Sequence, residues 1–139
     1  MRIITKQLNL KTKGAGDLID ITARIQENLD STGLKEGNVT VFVVGSTAAI
    51  TTFEYESGLI SDIRQLYEKL APSTKSYAHD ETWGDANGFS HLRAALQGPS
   101  LVIPFALGRL VLGTWQQVVL AEFDTRARQR KIILQFWGE

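Results

Sequence analysis

The sequence predicts an α+β fold with largely antiparallel strand pairing. Two observations carry this. Only two stretches show the three-and-four apolar spacing of a long amphipathic helix, Leu18-Ile21-Ile25-Leu29 and Leu59-Ile63-Leu66-Leu70. The strands gather in the C-terminal third rather than alternating with helices, as a parallel βαβ sheet would require.

A first strand is expected within residues 2–11, where Ile4, Leu8 and Leu10 stand among Lys and Thr. Gly14-Ala15-Gly16 breaks it. Asp17 suits the start of the first helix, as a cap or as an acid near its positive end. The stripe from Leu18 to Leu29 then implies about four turns at ~3.6 residues each. Gly33 fits the left-handed position beyond the helix, and Gly37-Asn38 is turn chemistry. Val39–Val44 is β-branched and reads as a central strand. The small residues Gly45–Ala49 lead into a second strand, Ile50–Tyr55, and Glu56-Ser57-Gly58 turns the chain into the second helix, which Pro72 ends.

Residues 73–90 show no periodicity. A long irregular segment in a compact domain favours function, and this one holds Tyr77, His79, Asp80, Trp83 and Asn87. A short helix near Ser90–Leu96 stops at Gly98-Pro99. Strands follow at Ser100–Phe105, Arg109–Leu112, Trp115–Glu122 and Arg130–Trp137. Roughly seven strands and two main helices thus make one domain over residues 1–139.

Composition excludes several functions. Lys+Arg 15 against Asp+Glu 15 leaves no global basic field for a nucleic-acid backbone. With Cys 0 there is no disulfide framework, thiolate nucleophile or Cys-ligated zinc. No window approaches the ~20 apolar residues of a membrane-spanning helix. Met1–Lys6 lacks the apolar core of a secretion signal. The expectation is a soluble cytoplasmic protein with neither nucleic acid nor membrane as partner.

His79 and His91 are the side chains suited to proton transfer near neutrality, and Asp80, Glu81 and Asp85 lie beside the first of them. Histidine with carboxylates makes either a metal site or a general acid/base pair, but this spacing matches no standard zinc motif. Glu54 lies in an apolar and hydroxyl-rich strand and needs a partner if buried; a solvent-facing position is the simpler reading. Asp62 is expected in the first turn of the second helix, where the helix dipole alone accounts for it. Arg126, Arg128 and Arg130 alternate, as residues on one face of a strand do. They suit either a phosphate grip or a charged, solvated edge strand, and the pattern alone favours the edge. No phosphate-loop, nucleophile-elbow or H-E-x-x-H motif is present, and Ser46 has no base nearby in sequence.

From Gly45 onward the sequence resembles the YjbQ-like family. The pieces are Ser46-Thr47-Ala48-Ala49 with Glu54, then Asp62, Tyr77-x-His79-Asp80, Asn87, Ser90-His91-Leu92 and Gly98-x-Ser100. Gly108-x-Leu110, Leu112-Gly113-Thr114-Trp115-Gln116, Glu122 and Arg128-x-Arg130-Lys131 complete them. The resemblance implies an α+β fold containing a β-sandwich and assembled as a homotrimer. It also implies weak thiamin-phosphate-synthase-type activity, joining a pyrimidine pyrophosphate to a thiazole phosphate.

On that resemblance Glu54, Asp62, His79 and His91 would be catalytic. Thr47, Asn87, Ser90, Thr114, Gln116, Arg128 and Arg130 would bind a phosphorylated small molecule. A divalent metal, Zn or Mg, would sit on His79 and His91. One departure stands out: many members read His-Thr-Thr or His-Thr-Ser where this chain has Gly45-Ser46-Thr47, so position 45 supplies no ligand. The alternatives are a non-enzymatic trimer binding a metal or phosphometabolite, and a purely structural oligomer.

Overall fold

In a computed structural model covering residues 1–139, the chain is α+β as expected, with eight strands and four helices. Five strands form one antiparallel sheet. Its order is β1 (Arg2–Lys11), β8 (Gln129–Gly138), β3 (Gly37–Val44), β5 (Ser100–Ala106) and the short β6 (Arg109–Leu110). The other sheet has three strands, β2 (Asp17–Asp20), β7 (Gln117–Glu122) and β4 (Ala48–Phe53), again antiparallel.

The sheets share a core. Val39, Val41, Val43, Ile132, Leu134 and Phe136 from the larger sheet meet Ile50, Val118 and Leu120 from the smaller, together with Ile25 and Leu29 of α1 (Thr22–Asp30). The other face of the small sheet presents Leu18, Ala49, Val119 and Ala121 to Tyr67 and Ala94. Those two come from α2 (Ser57–Leu70) and α4 (Gly88–Gln97). Covered on both sides, the small sheet explains why β7 reads as a continuous apolar run instead of alternating.

Four expectations are corrected. The first apolar stripe does not lie on a single helix: Asp17–Asp20 is strand β2, paired to β7. Leu18 therefore packs in the smaller core while Ile21, Ile25 and Leu29 pack in the larger. The helix starts at Thr22, whose N–H donates to Asp20 Oδ1 at 2.9 Å. Residues 73–90 are not all irregular, because Ala78–Trp83 forms α3. It is too short to show periodicity. Arg130 is not on a solvated edge: β8 lies between β1 and β3, and Arg130 is buried. Asp62 falls beyond the first turn of α2, which begins at Ser57.

No helix is long and apolar enough to cross a membrane.

Candidate functional site

The irregular segment delivers one histidine pair. Asp80, the third residue of α3, accepts the Tyr77 N–H at 3.0 Å and the Gly88 N–H at 2.8 Å. One carboxylate thereby ties the starts of α3 and α4 together, the placement that unpaired helix N–H groups favour. Gly88 is needed for this approach, since a Cβ there would lie 2.7 Å from Tyr77 Cβ. The clasp sets His79 on α3 against His91 on α4, with ring centroids 4.4 Å apart and planes tilted by 55°.

Asn87 lies beside His79. With its amide nitrogen toward the ring, it donates to His79 Nε2 at 3.1 Å and to Asp85 Oδ1 at 2.9 Å. That orientation satisfies both neighbours and makes Nε2 the acceptor, leaving the ring proton on Nδ1. Asp85 is also 3.9 Å from His79 Nε2. The ring of His91 makes no hydrogen bond within the chain. It lines a cleft of about 340 Å³ with Gly45, Ser46, Ala94 and Pro99.

A second cluster closes behind Gly45. Arg130 Nε donates to Glu122 Oε2 at 2.7 Å, and Nη2 donates to Glu122 Oε1 and, at 2.7 Å, to Thr47 Oγ1. Thr47 donates in turn to Asp124 Oδ2 at 3.0 Å, which also receives Arg128 Nε at 2.8 Å. Thr12 Oγ1 donates to Glu122 at 2.8 Å. Glu122 is 0% exposed and Arg130 7%, so each buried charge has a partner and further hydrogen bonds. Burial pushes the Asp124 carboxyl up, but hydrogen bonds from Arg128, the Thr125 N–H and Thr47 outweigh it and hold it below its usual range.

Arg130 Nη1 has no acceptor in the protein. It faces Gly45, where a Cβ would stand only 2.8 Å away. Gly45 also has φ +143°, a conformation side-chain-bearing residues rarely adopt. With Arg130 placed this way, position 45 has no room for the histidine that the family resemblance sets there.

The structure brings His79, His91 and Asn87 together, and Thr47, Arg128 and Arg130 into the neighbouring network. Ser90 follows Asn87 into the interior, with an Oγ that has no hydrogen-bond partner. Glu54 and Thr114 lie elsewhere within one chain, around a pocket with Asp20 and Trp115. Asp62 is on the exposed side of α2 beside Lys69. Gln116 bridges Gly113 N–H and Thr52. No group of three His, Asp or Glu is placed to hold a metal ion, so the donor set of one chain does not fit the zinc or magnesium expected at His79 and His91.

Sequence reasoning missed Asp124 and the pairing of Glu122 with Arg130. The signal was present: Glu122 ends the apolar run Val118–Ala121, where a carboxylate demands a cation.

Residues 6–139 match the family described as UPF0047 protein YjbQ-like. A UPF0047 protein from Methanothermobacter thermautotrophicus is 40% identical, covering 100% of this chain and 95% of its own. One from Archaeoglobus fulgidus is 39% identical, over 91% and 97%. Among solved structures, a YbjQ-like protein of unknown function from Sulfolobus solfataricus superposes with TM-score 0.89 at 32% identity, covering 99% of this chain and 100% of its own.

The expected thiamin-phosphate-synthase activity is corrected by these comparisons. The relatives carry a family name and no activity, and the Sulfolobus protein is described as of unknown function. The structure adds that Glu54 and Asp62, expected to be catalytic together with the histidines, stand apart from them within the chain.

Proposed function

The chain belongs to the YjbQ-like UPF0047 family, and on that footing we propose that it binds a small phosphorylated metabolite in the cleft between the Gly45-Ser46 turn and α4. One observation carries this reading. Arg130 is buried and held by Glu122 and Thr47, yet its Nη1 remains free beside Gly45, a residue lining the cleft. A guanidinium fixed in this way loses little side-chain freedom when a phosphate oxygen arrives. Glycine at 45 supports the same reading, because a side chain would cover the nitrogen. His91, whose ring is not engaged within the chain, supplies a second donor or a proton acceptor at the bound group. His79 packs against it and is oriented by Asn87.

The test is a titration of the protein with glycerol phosphate, following the backbone amide signals of Gly45, Ser46 and His91. Saturable shifts are expected, and His91→Ala should weaken binding about tenfold, a charge-assisted hydrogen bond's worth. Glycerol shifting the same signals equally well would overturn the reading.

A homotrimer, as the family resemblance implies, is part of the same proposal. By register, Phe42, Val44, Val102 and Trp137 share the outward face of the larger sheet, and all four are exposed. Contiguous exposed apolar residues on a sheet are what subunit contacts cover.

A further inference from the structure

The geometry points to a second ligand site on the opposite side of α4, fitted to a small monocarboxylate with an apolar, ring-sized body. Positions 91 and 93 lie ~200° apart around a helix of ~3.6 residues per turn. His91 accordingly faces the cleft by Gly45, while Arg93 lines a separate cavity of about 280 Å³. Apolar side chains form much of its wall: Leu18, Phe89 and the edge-to-face pair Tyr67 and Phe123, whose centroids are 4.6 Å apart. Such walls suit a flat ring.

The polar part is built and rigid. Arg93 is 5% exposed, and its guanidinium carbon lies over the Phe89 ring at 4.7 Å. Nε and Nη2 donate to the Ala71 carbonyl at 3.0 and 2.8 Å, and Nη2 also to Glu68 at 2.7 Å. Nη1 donates to no protein atom. Ser90 Oγ is the sole fully buried side-chain polar atom without a partner, so Nη1 is reached by solvent. Across the cavity the exposed Arg64 uses Nε on the Gly16 carbonyl at 2.7 Å and keeps both terminal nitrogens free.

Charge selects the ligand. Glu68 is held ionised by the Ser73 N–H and by Arg93. With Arg64 and Arg93 it leaves one uncompensated positive charge, which matches a monoanion; a dianionic phosphate would also meet the Glu68 carboxylate. Free guanidinium N–H groups match the plane and two oxygens of a carboxylate.

The experiment titrates isotope-labelled full-length protein with benzoate, and separately with benzyl alcohol and inorganic phosphate, following the amides of Leu18, Phe89 and Phe123. Benzoate should give saturable shifts at these positions, with benzyl alcohol at least about tenfold weaker and phosphate without effect. Arg64→Gln should weaken benzoate about tenfold and leave the His91 amide unmoved. Ala15→Leu, which fills the cavity wall, should abolish the shifts. The site is overturned if benzoate does not saturate, if the alcohol binds equally well, or if Arg64→Gln changes nothing.

Discussion

Gly45 and Arg130 fit one another so closely that a single methyl on residue 45 would lie 2.8 Å from the guanidinium. The pair sits on neighbouring strands of the larger sheet: Gly45 follows β3 and Arg130 lies in β8, while Thr47 and Glu122 tie the arginine to the smaller sheet. Gly45→Ala should cost ~1–3 kcal/mol, from backbone strain at φ +143° and from displacing Arg130. It should weaken phosphate binding in parallel. Urea denaturation reads the first effect and ligand titration the second; an unchanged midpoint would mean that Arg130 moves freely.

Arg130→Met leaves Glu122 as an unpaired carboxylate at 0% exposure. The expected loss is ~3–5 kcal/mol, typical of breaking a buried pair. Arg130→Met with Glu122→Leu should recover a large part of it. A double variant no better than the single would show that the network matters through its links to Thr12 and Thr47, not through charge.

Asp124 has a folded-state pKa below its ordinary 3.8. Its contribution to stability is therefore complete above that value and is lost as pH falls from about 3.8 toward the lower folded pKa. Arg128→Gln removes the strongest of the hydrogen bonds that lower it. Denaturation midpoints from pH 6 down to about pH 2 should fall less steeply in Arg128→Gln than in the parent. Parallel curves would count against the assignment.

Gly88→Ala should separate α3 from α4, because its Cβ would meet Tyr77 Cβ at 2.7 Å and Asp80 Oδ1 at 3.0 Å. Overpacking of this kind costs ~1–3 kcal/mol. The diagnostic readout is the imidazole spectrum, where both His79 and His91 signals should move. Movement of neither would mean that the histidine pair does not depend on the Asp80 clasp.

Val102→Glu places a charge on the apolar outward face of the larger sheet. If that face joins copies of the chain, light scattering should show the assembly falling to monomers while the circular dichroism spectrum is kept. A parent protein that is already monomeric would remove the proposed contact.

Much of the fold was legible from spacing alone. Ile21, Ile25 and Leu29 repeat as a helix must, and the β-branched run Val39–Val44 formed a central strand. Leu18 misled because strand β2 runs directly into α1, and the two periodicities join without a break at Ile21. The histidine segment was legible as a candidate site by content, since it concentrated polar and reactive side chains where no periodicity was visible. The arginines were not. Alternation at residues 126, 128 and 130 describes an edge strand and a buried central strand equally well until the neighbours are known.

By itself the sequence determined the class, the family pattern, and which residue types were available: two histidines, no cysteine, and equal numbers of acids and bases. Only the tertiary structure decided which of them meet. Strand β8 was placed between β1 and β3, so Arg130 turned inward onto Glu122, a residue 8 positions away. Glu54 and Asp62, nearer to His79 in the chain than Arg130 is, were carried to other faces. The reason is that strand pairing and helix packing are fixed by apolar burial summed over many residues, whereas a polar site is a by-product of that arrangement at a few positions. Composition counts the charges, and the sheet order decides which of them are left free to face a ligand.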